Sequence, residues 1–290
     1  MGKLFRTLIF DGEISLSVLE TTDIVNEAIK FHKTTPVCSA ALGRVLTVTA
    51  FMSASLKNED EKLSITIEGD GVGGSIVTAA DGKMHVRGLI SNPFADLPLN
   101  SKGKLDVGGV VGRNGYITVI KNLGLKEPYV GRCNLETGEI AEDFTAYYAY
   151  SEQQPTAMAL GVLIGKDETC IGAGGIVIQP MPGCSEESIV KAEDLISKFT
   201  DISAQIRDLG AQGIIEKYFS EYQFNEYNPT YVCNCSKEYI DGMLITLGEK
   251  ELYETVENEG KIEVCCHFCD KKYVYYKEDV DLLLGKGDGR

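Results

Sequence analysis

The 290-residue chain has no apolar run of roughly the 18 residues that a membrane helix needs, so no segment is expected to span a bilayer. The apolar stretch near its start, Leu4 to Phe10 interrupted by Arg6, is too short for a signal peptide. The chain is therefore expected to stay in the cytoplasm. Positive charge is also scarce, with 28 Lys and Arg against 43 Asp and Glu, a net charge of −15. A surface of that sign repels phosphate backbones and anionic lipid, which makes nucleic acid and membrane poor partners. Several catalytic signatures are missing too. No G-x-x-x-x-G-K-[ST] loop gives ATP hydrolysis a seat, and neither H-E-x-x-H nor G-x-S-x-G occurs. There is no internal repeat and no low-complexity stretch.

What is present suits a globular protein. Hydrophobic residues make up 43% and charged residues 24%, and the length suffices for one large domain plus a small one. Residues 3–10 and 13–20 alternate around Asp11-Gly12, a strong hairpin turn, with Ile14, Leu16 and Val18 on one face. Thr21 or Thr22 can then cap a helix carrying Ile24, Ala28 and Phe31. A second helix is expected from Pro36 to about Leu56, apolar nearly all round and therefore buried.

From Leu63 the period changes to two, and the next hundred residues read as glycine-punctuated strands, Tyr116 to Ile120 among them. Phe144 to Tyr150 lacks breakers and reads as helix, and Leu160 to Ile164 and Ile171 to Ile178 as buried strands. Gly69-Asp70-Gly71-Val72-Gly73-Gly74 matches G-x-G-x-x-G, but strand and turn follow it rather than a helix, so it is read as a hairpin loop.

Pro180-Met181-Pro182-Gly183 marks a boundary. Beyond it a helix opens at Ser185-Glu186-Glu187, with a narrow apolar stripe at Ile189, Ala192, Ile196, Phe199, Ile202, Ile206 and Leu209. Gly210 and Gly213 weaken it. A second short stripe runs through Ile214, Ile215, Tyr218, Phe219 and Tyr222, and Asn225 to Thr230 reads as a polar break.

The nine cysteines divide into two groups. Cys38, Cys133, Cys170 and Cys184 are scattered and read as small buried hydrophobes. Near the end, Cys233-Asn234-Cys235 and Cys266-His267-Phe268-Cys269 form two tight pairs separated by 30 residues. Two short thiolate clips supply the four soft ligands of a tetrahedral zinc ion. Each clip can also close into a disulfide once the metal leaves. The segment after Thr230 is only 60 residues long, so it is expected to fold with metal and to be largely unfolded without it. Cys265 faces away from Cys266 on an extended approach and is read as a bystander. His267 is not needed as a ligand, and His32 and His85 are read as structural.

With these residues assembled, the chain resembles the redox-regulated holdase chaperones known as heat shock protein 33. The resemblance rests on Cys233-Asn234-Cys235-Ser236-Lys237-Glu238, Leu247-Gly248-Glu249-Lys250-Glu251-Leu252 and Cys266-His267-Phe268-Cys269 with Tyr273. In the body it rests on Ala41-Leu42-Gly43-Arg44, Leu56-Lys57, Gly69-Asp70-Gly71, Val86-Arg87-Gly88, Gly138-Glu139-Ile140-Ala141-Glu142-Asp143 and Ser151-Glu152-Gln153-Gln154-Pro155.

The resemblance implies an α+β core over 1–180, a helical linker over 181–230 and a zinc-binding redox-switch domain over 231–290. It implies an ATP-independent chaperone, not an enzyme, inactive while Cys233, Cys235, Cys266 and Cys269 hold zinc. Oxidation with heat would form the Cys233–Cys235 and Cys266–Cys269 disulfides, release zinc and unfold the linker. Unfolding client proteins would then bind, and the activated form would be a homodimer. Two other readings compete: a zinc-ribbon module for nucleic acid, and a thiol–disulfide oxidoreductase using Cys266 and Cys269.

Overall fold

The Asp11-Gly12 turn joins β1 (Lys3–Ile9) to β2 (Ile14–Glu20) as an antiparallel hairpin. Phe10, Asp11 and Gly12 all take positive φ there, the backbone state such turns require. The computed structural model describes residues 1–286. Its chain divides into two compact units, Met1–Val232 and a second that begins at Cys233.

In the first unit two helices follow the hairpin, α1 (Thr22–His32) and α2 (Pro36–Ser53). Pro36 sits in the first turn of α2, where its missing N–H costs nothing, and the Thr35 hydroxyl accepts the Cys38 N–H. Strands β3 (Lys62–Glu68), β4 (Ile76–Asp81) and β5 (His85–Ile90) come next, then a short α3 (Val107–Val111). They are followed by β6 (Tyr116–Asn122), β7 (Tyr129–Asn134), α4 (Ala141–Tyr150), β8 (Ala157–Ile164) and β9 (Cys170–Pro180). Helices α5 (Glu186–Ser197) and α6 (Ile202–Tyr218) and two short strands, β10 (Asn225–Tyr227) and β11 (Thr230–Tyr231), complete the unit. A five-stranded sheet runs β10-β1-β2-β9-β8, and a six-stranded sheet runs β11-β5-β4-β3-β6-β7.

Helix α2 packs on strands of both sheets. By length and composition it could cross a membrane, yet 89% of it is buried in protein, as a core helix is. Its hydroxyls are satisfied internally: Thr47 lies 2.6 Å from Thr21 and Thr49 lies 2.7 Å from Thr78. Thr21 therefore spends its side chain on α2 and makes no cap bond to α1.

The five-stranded sheet is apolar on both faces. Phe5, Leu16, Val18, Ile176 and Ile178 form a second core with Leu195, Phe199, Ile202 and Ile206 of the α5–α6 segment. The single stripe from Ile189 to Leu209 is not a single helix. The chain breaks between Ser197 and Ile202, burying Phe199 in the corner. Leu195 rather than Leu209 then faces the sheet, Leu209 being 40% exposed. Gly210 breaks α6 again with φ 65° and ψ 173°, a backbone state open only to glycine. The Glu20 carboxylate of β2 accepts the Ala211 N–H at 2.9 Å, restarting the helix at a new phase.

The polar break at 225–230 is also structured. Its backbone fills sheet edges, β10 antiparallel to β1 and β11 parallel to β5. The glycine-rich loop joins the antiparallel pair β3 and β4, with no helix after it. A Cβ added at Gly71 would lie 2.2 Å from the Val110 oxygen, so the loop's glycines permit close packing on α3.

Two of the body motifs meet in one place. The Arg44 guanidinium donates to the Glu139 carboxylate at 2.7 Å and to its backbone oxygen at 2.9 Å. Beside it, the fully buried Asp143 carboxylate accepts four backbone N–H groups, from Glu136, Thr137, Gly138 and Ile140, at 2.8–3.1 Å.

The second unit holds α7 (Lys237–Leu247), α8 (Glu249–Glu259), the hairpin β12 (Ile262–Cys265) and β13 (Lys272–Tyr275), and α9 (Lys277–Leu283). Its core is small: Ile240, Leu244, Leu252, Val256, Ile262, Tyr273, Tyr275 and Val280.

Replacing Asp143 by Ala leaves four backbone donors without their acceptor, two of them fully buried. Urea unfolding is expected to show a loss on the order of 3 kcal/mol, with the slope of the transition unchanged.

Candidate metal centre

The two cysteine clips are presented by different local structures. Cys233-Asn234-Cys235 runs directly into α7, whose cap residue Ser236 accepts the Tyr239 N–H at 3.2 Å. Cys266-His267-Phe268-Cys269 forms the turn of the β12–β13 hairpin. The Cys266 N–H donates to the Lys271 oxygen at 2.9 Å, and the Cys266 oxygen accepts from Asp270 at 2.8 Å. Asp270 reverses the chain with φ 55°. Alternation along the hairpin buries Ile262, Tyr273 and Tyr275 and turns Glu263 outward between Lys261 and Lys272.

These two supports bring four sulfurs together. Cys233 Sγ lies 3.5 Å from Cys266 Sγ, and Cys235 Sγ lies 3.4 Å from Cys269 Sγ. All four lie within 4.8 Å of one another. A tetrahedral ion with sulfur bonds of about 2.3 Å sets its sulfurs about 3.8 Å apart, so this cluster fits such an ion. Cys233, Cys235, Cys266 and Cys269 could together hold one metal ion. Neither Cys265 nor His267 joins the cluster. Cys265 ends β12, opposite Lys272.

The thiols are not equivalent. Burial works to raise Cys235, but hydrogen bonds from Tyr273 and from the other thiols outweigh it and hold it down at about 7. Burial pushes Cys269 up to about 11 even though the Lys271 N–H donates to it. Burial likewise pushes Cys233 well up, against a backbone N–H from Cys235. The cluster thus favours one thiolate first, at Cys235. The Tyr273 hydroxyl donates to that sulfur at 3.3 Å, and the bond in turn holds the phenol proton well above its usual range. The sequence marks Tyr273 as part of the motif that follows Cys269, but not that its hydroxyl reaches Cys235.

The remaining candidates lie elsewhere. Cys38, Cys133 and Cys170 are buried, and burial raises all three thiols, Cys170 to about 11, which leaves them unreactive. Cys184 is half-buried rather than core, its thiol 3.4 Å from the Ser185 oxygen. His32 Nε2 is 3.5 Å from the Tyr231 hydroxyl, and His85 Nδ1 is 3.2 Å from the Asp81 carboxylate.

The family model described as "Hsp33 protein" matches residues 2–276. The chain belongs to the Hsp33 chaperone family. It is 40% identical to the 33 kDa chaperonin of Clostridium acetobutylicum, with 97% of each chain covered. It is 43% identical to that of Acetivibrio thermocellus, covering 97% of this chain and 96% of the other. Among solved structures it matches the Hsp33 homologue of Thermotoga maritima with a TM-score of 0.87 and 33% identity, over 98% of this chain and 97% of that one. The α+β architecture and the C-terminal cysteine cluster of this Hsp33-family chain agree with the expectation from sequence.

In metal-free, reduced protein, iodoacetamide is expected to label Cys235 first, with a half-maximal rate near pH about 7. Cys269 is expected to need a pH of about 11 for its half-maximal rate. Peptide mapping after brief labelling at a pH of about 7.5, with about one equivalent of reagent, checks the order.

Proposed function

We propose that the chain is a redox-regulated, ATP-independent holdase that binds thermally unfolding and oxidatively damaged proteins and prevents their aggregation. The observation that carries this reading is the four-sulfur cluster seated on a unit with only a small core of its own. A core of that size supplies roughly 3–5 kcal/mol, whereas a structural zinc site supplies about 10–16 kcal/mol near neutral pH. Fold and oxidation state are thereby tied together.

In the reduced state one zinc ion is held by Cys233, Cys235, Cys266 and Cys269. Zinc is favoured over harder cations because all four donors are thiolate sulfur. A peroxide or hypochlorous acid, acting with heat, converts the clips into Cys233–Cys235 and Cys266–Cys269 disulfides. The metal then has no ligands, and the unit loses most of its folding energy. The segment 181–230 serves as the linker. Its α5–α6 portion buries the Phe5, Leu16, Val18, Ile176 and Ile178 face, and its release leaves apolar surface for clients. The core domain is assigned to 1–180 and the switch domain to 231–290. The activated form is a homodimer acting in the cytoplasm, with no enzymatic chemistry, nucleic acid or membrane.

Two features weigh against the competing readings. Residues 231–290 carry 8 Lys and Arg against 13 Asp and Glu, the wrong sign for nucleic acid. Cys266 and Cys269 lie in a β-hairpin turn rather than at the junction of strand and helix that a thiol oxidoreductase uses.

Light scattering from a heat-unfolding client tests the reading. Peroxide-treated protein is expected to suppress scattering at near-equimolar ratio and the zinc-loaded reduced protein to leave it unchanged. Equal suppression by both forms would sink the proposal. Chelation of the reduced protein is expected to remove the helical circular dichroism of α7 and α8 and to raise hydrophobic-dye fluorescence.

A further inference from the structure

We propose that Tyr273 is a positioning residue for the switch: its hydroxyl, by donating to the Cys235 sulfur, holds that thiolate as a metal ligand and slows its attack on a peroxide. The inference rests on the zinc-and-thiol reading above and names a control within it.

The geometry is well fixed. Tyr273 is 7% exposed and packs among Ile240, Leu244 and Tyr275 in the small core. Its strand is paired residue by residue with β12, Tyr273 standing opposite Val264. With ring and backbone both held, the phenolic oxygen remains 3.3 Å from Cys235 Sγ. Lys271 lies over the same ring, 5.1 Å from its centroid. A phenylalanine would fill the same volume, so packing does not account for the hydroxyl. Its partner is a sulfur.

A hydrogen bond to sulfur is strongest when the sulfur is anionic, so it favours the thiolate that a metal requires. It also engages the lone pairs that oxidation uses. In the first oxidative step the Cys235 thiolate attacks one peroxide oxygen, an S–O bond forms, the O–O bond breaks and hydroxide leaves. In the second, the Cys233 thiolate attacks the resulting sulfenic acid, the S–S bond forms and a second hydroxide leaves. Two electrons pass from the two sulfurs to hydrogen peroxide, which ends as water once the hydroxides are protonated. The tyrosine proton stabilises the starting thiolate more than the sulfur that has given up its charge. Removing it therefore weakens the ligand and quickens the oxidation.

Tyr275 supplies the internal comparison. It lies two residues on, faces the same core and is more deeply buried, but its hydroxyl donates to the Asp241 carboxylate at 2.7 Å. The variants Tyr273→Phe and Tyr275→Phe each delete one buried hydroxyl from β13, and only the first touches a cysteine.

The test uses the full chain, reduced and zinc-loaded. Zinc affinity is measured by competition with a chromogenic chelator, and zinc release is followed after addition of hydrogen peroxide. Far-UV circular dichroism and thermal unfolding monitor the fold. Tyr273→Phe is expected to lower zinc affinity about tenfold and to speed peroxide-driven release several-fold. Tyr275→Phe is expected to lower the melting temperature and to change both zinc readouts much less than Tyr273→Phe does. A Tyr273→Phe protein that matches wild type in affinity and release overturns the inference, as does an equal effect of Tyr275→Phe. If the wild-type protein holds no zinc, the holdase reading falls as well. A zinc-loaded wild type with an indifferent Tyr273→Phe overturns this inference alone.

Discussion

Four thiolates cannot stand within 4.8 Å of one another unless something answers their charge. Three answers exist. The sulfurs can keep their protons, share a dication, or give up electrons and bond in pairs. Each answer suits a different condition. The second unit has little else to decide its state, because its few buried aliphatics and two tyrosines make a thin core. The uneven thiols sharpen the choice. Cys235 is ready to lose its proton near neutrality, while burial resists the same loss at Cys233 and Cys269.

The first unit is constrained in another way. Its five-stranded sheet has two apolar faces, and each needs a cover. Helix α2 covers one face, wedged between two sheets and buried almost all round. The α5–α6 segment covers the other with a one-sided set of apolar residues, its outer side carrying Glu187, Lys191, Asp194 and Lys198 in exposed ion pairs. Exposed pairs of this kind contribute little to stability. The outer cover is therefore held mainly by burial against the sheet, with Glu20 at Ala211 as a local pin.

Much of this was legible in the sequence where a residue type has one physical use. Asp11-Gly12 between alternating runs specified the first hairpin, and the apolar run after Pro36 specified a buried helix. The two cysteine clips identified a candidate metal site because short thiolate spacings have few other purposes. What escaped depended on partners distant in the chain. Nothing near Gly210 announces that Glu20, 191 positions before Ala211, will cap the helix restarting there. Asn225 to Thr230 reads as polar chain because a short edge strand gains its order from the sheet it joins. Tyr273 stands out in the sequence beside the second cysteine clip, but only the fold brings Cys235 of the first clip to its hydroxyl. Leu209 belongs by spacing to an apolar stripe that the break at Ser197 shifts out of phase.

The break after Ser197 and the glycine at 210 divide the outer cover into three separately seated plates rather than one rod. A helix melts cooperatively only along an unbroken hydrogen-bond ladder, and this ladder stops at each of the two breaks. Peeling can begin at Glu186 and halt at Gly210, with Ile214, Ile215 and Phe219 still in place on the sheet. The apolar face is thus able to open by degrees, baring the ground beneath Phe199 and Ile202 while that beneath Ile214 stays shut.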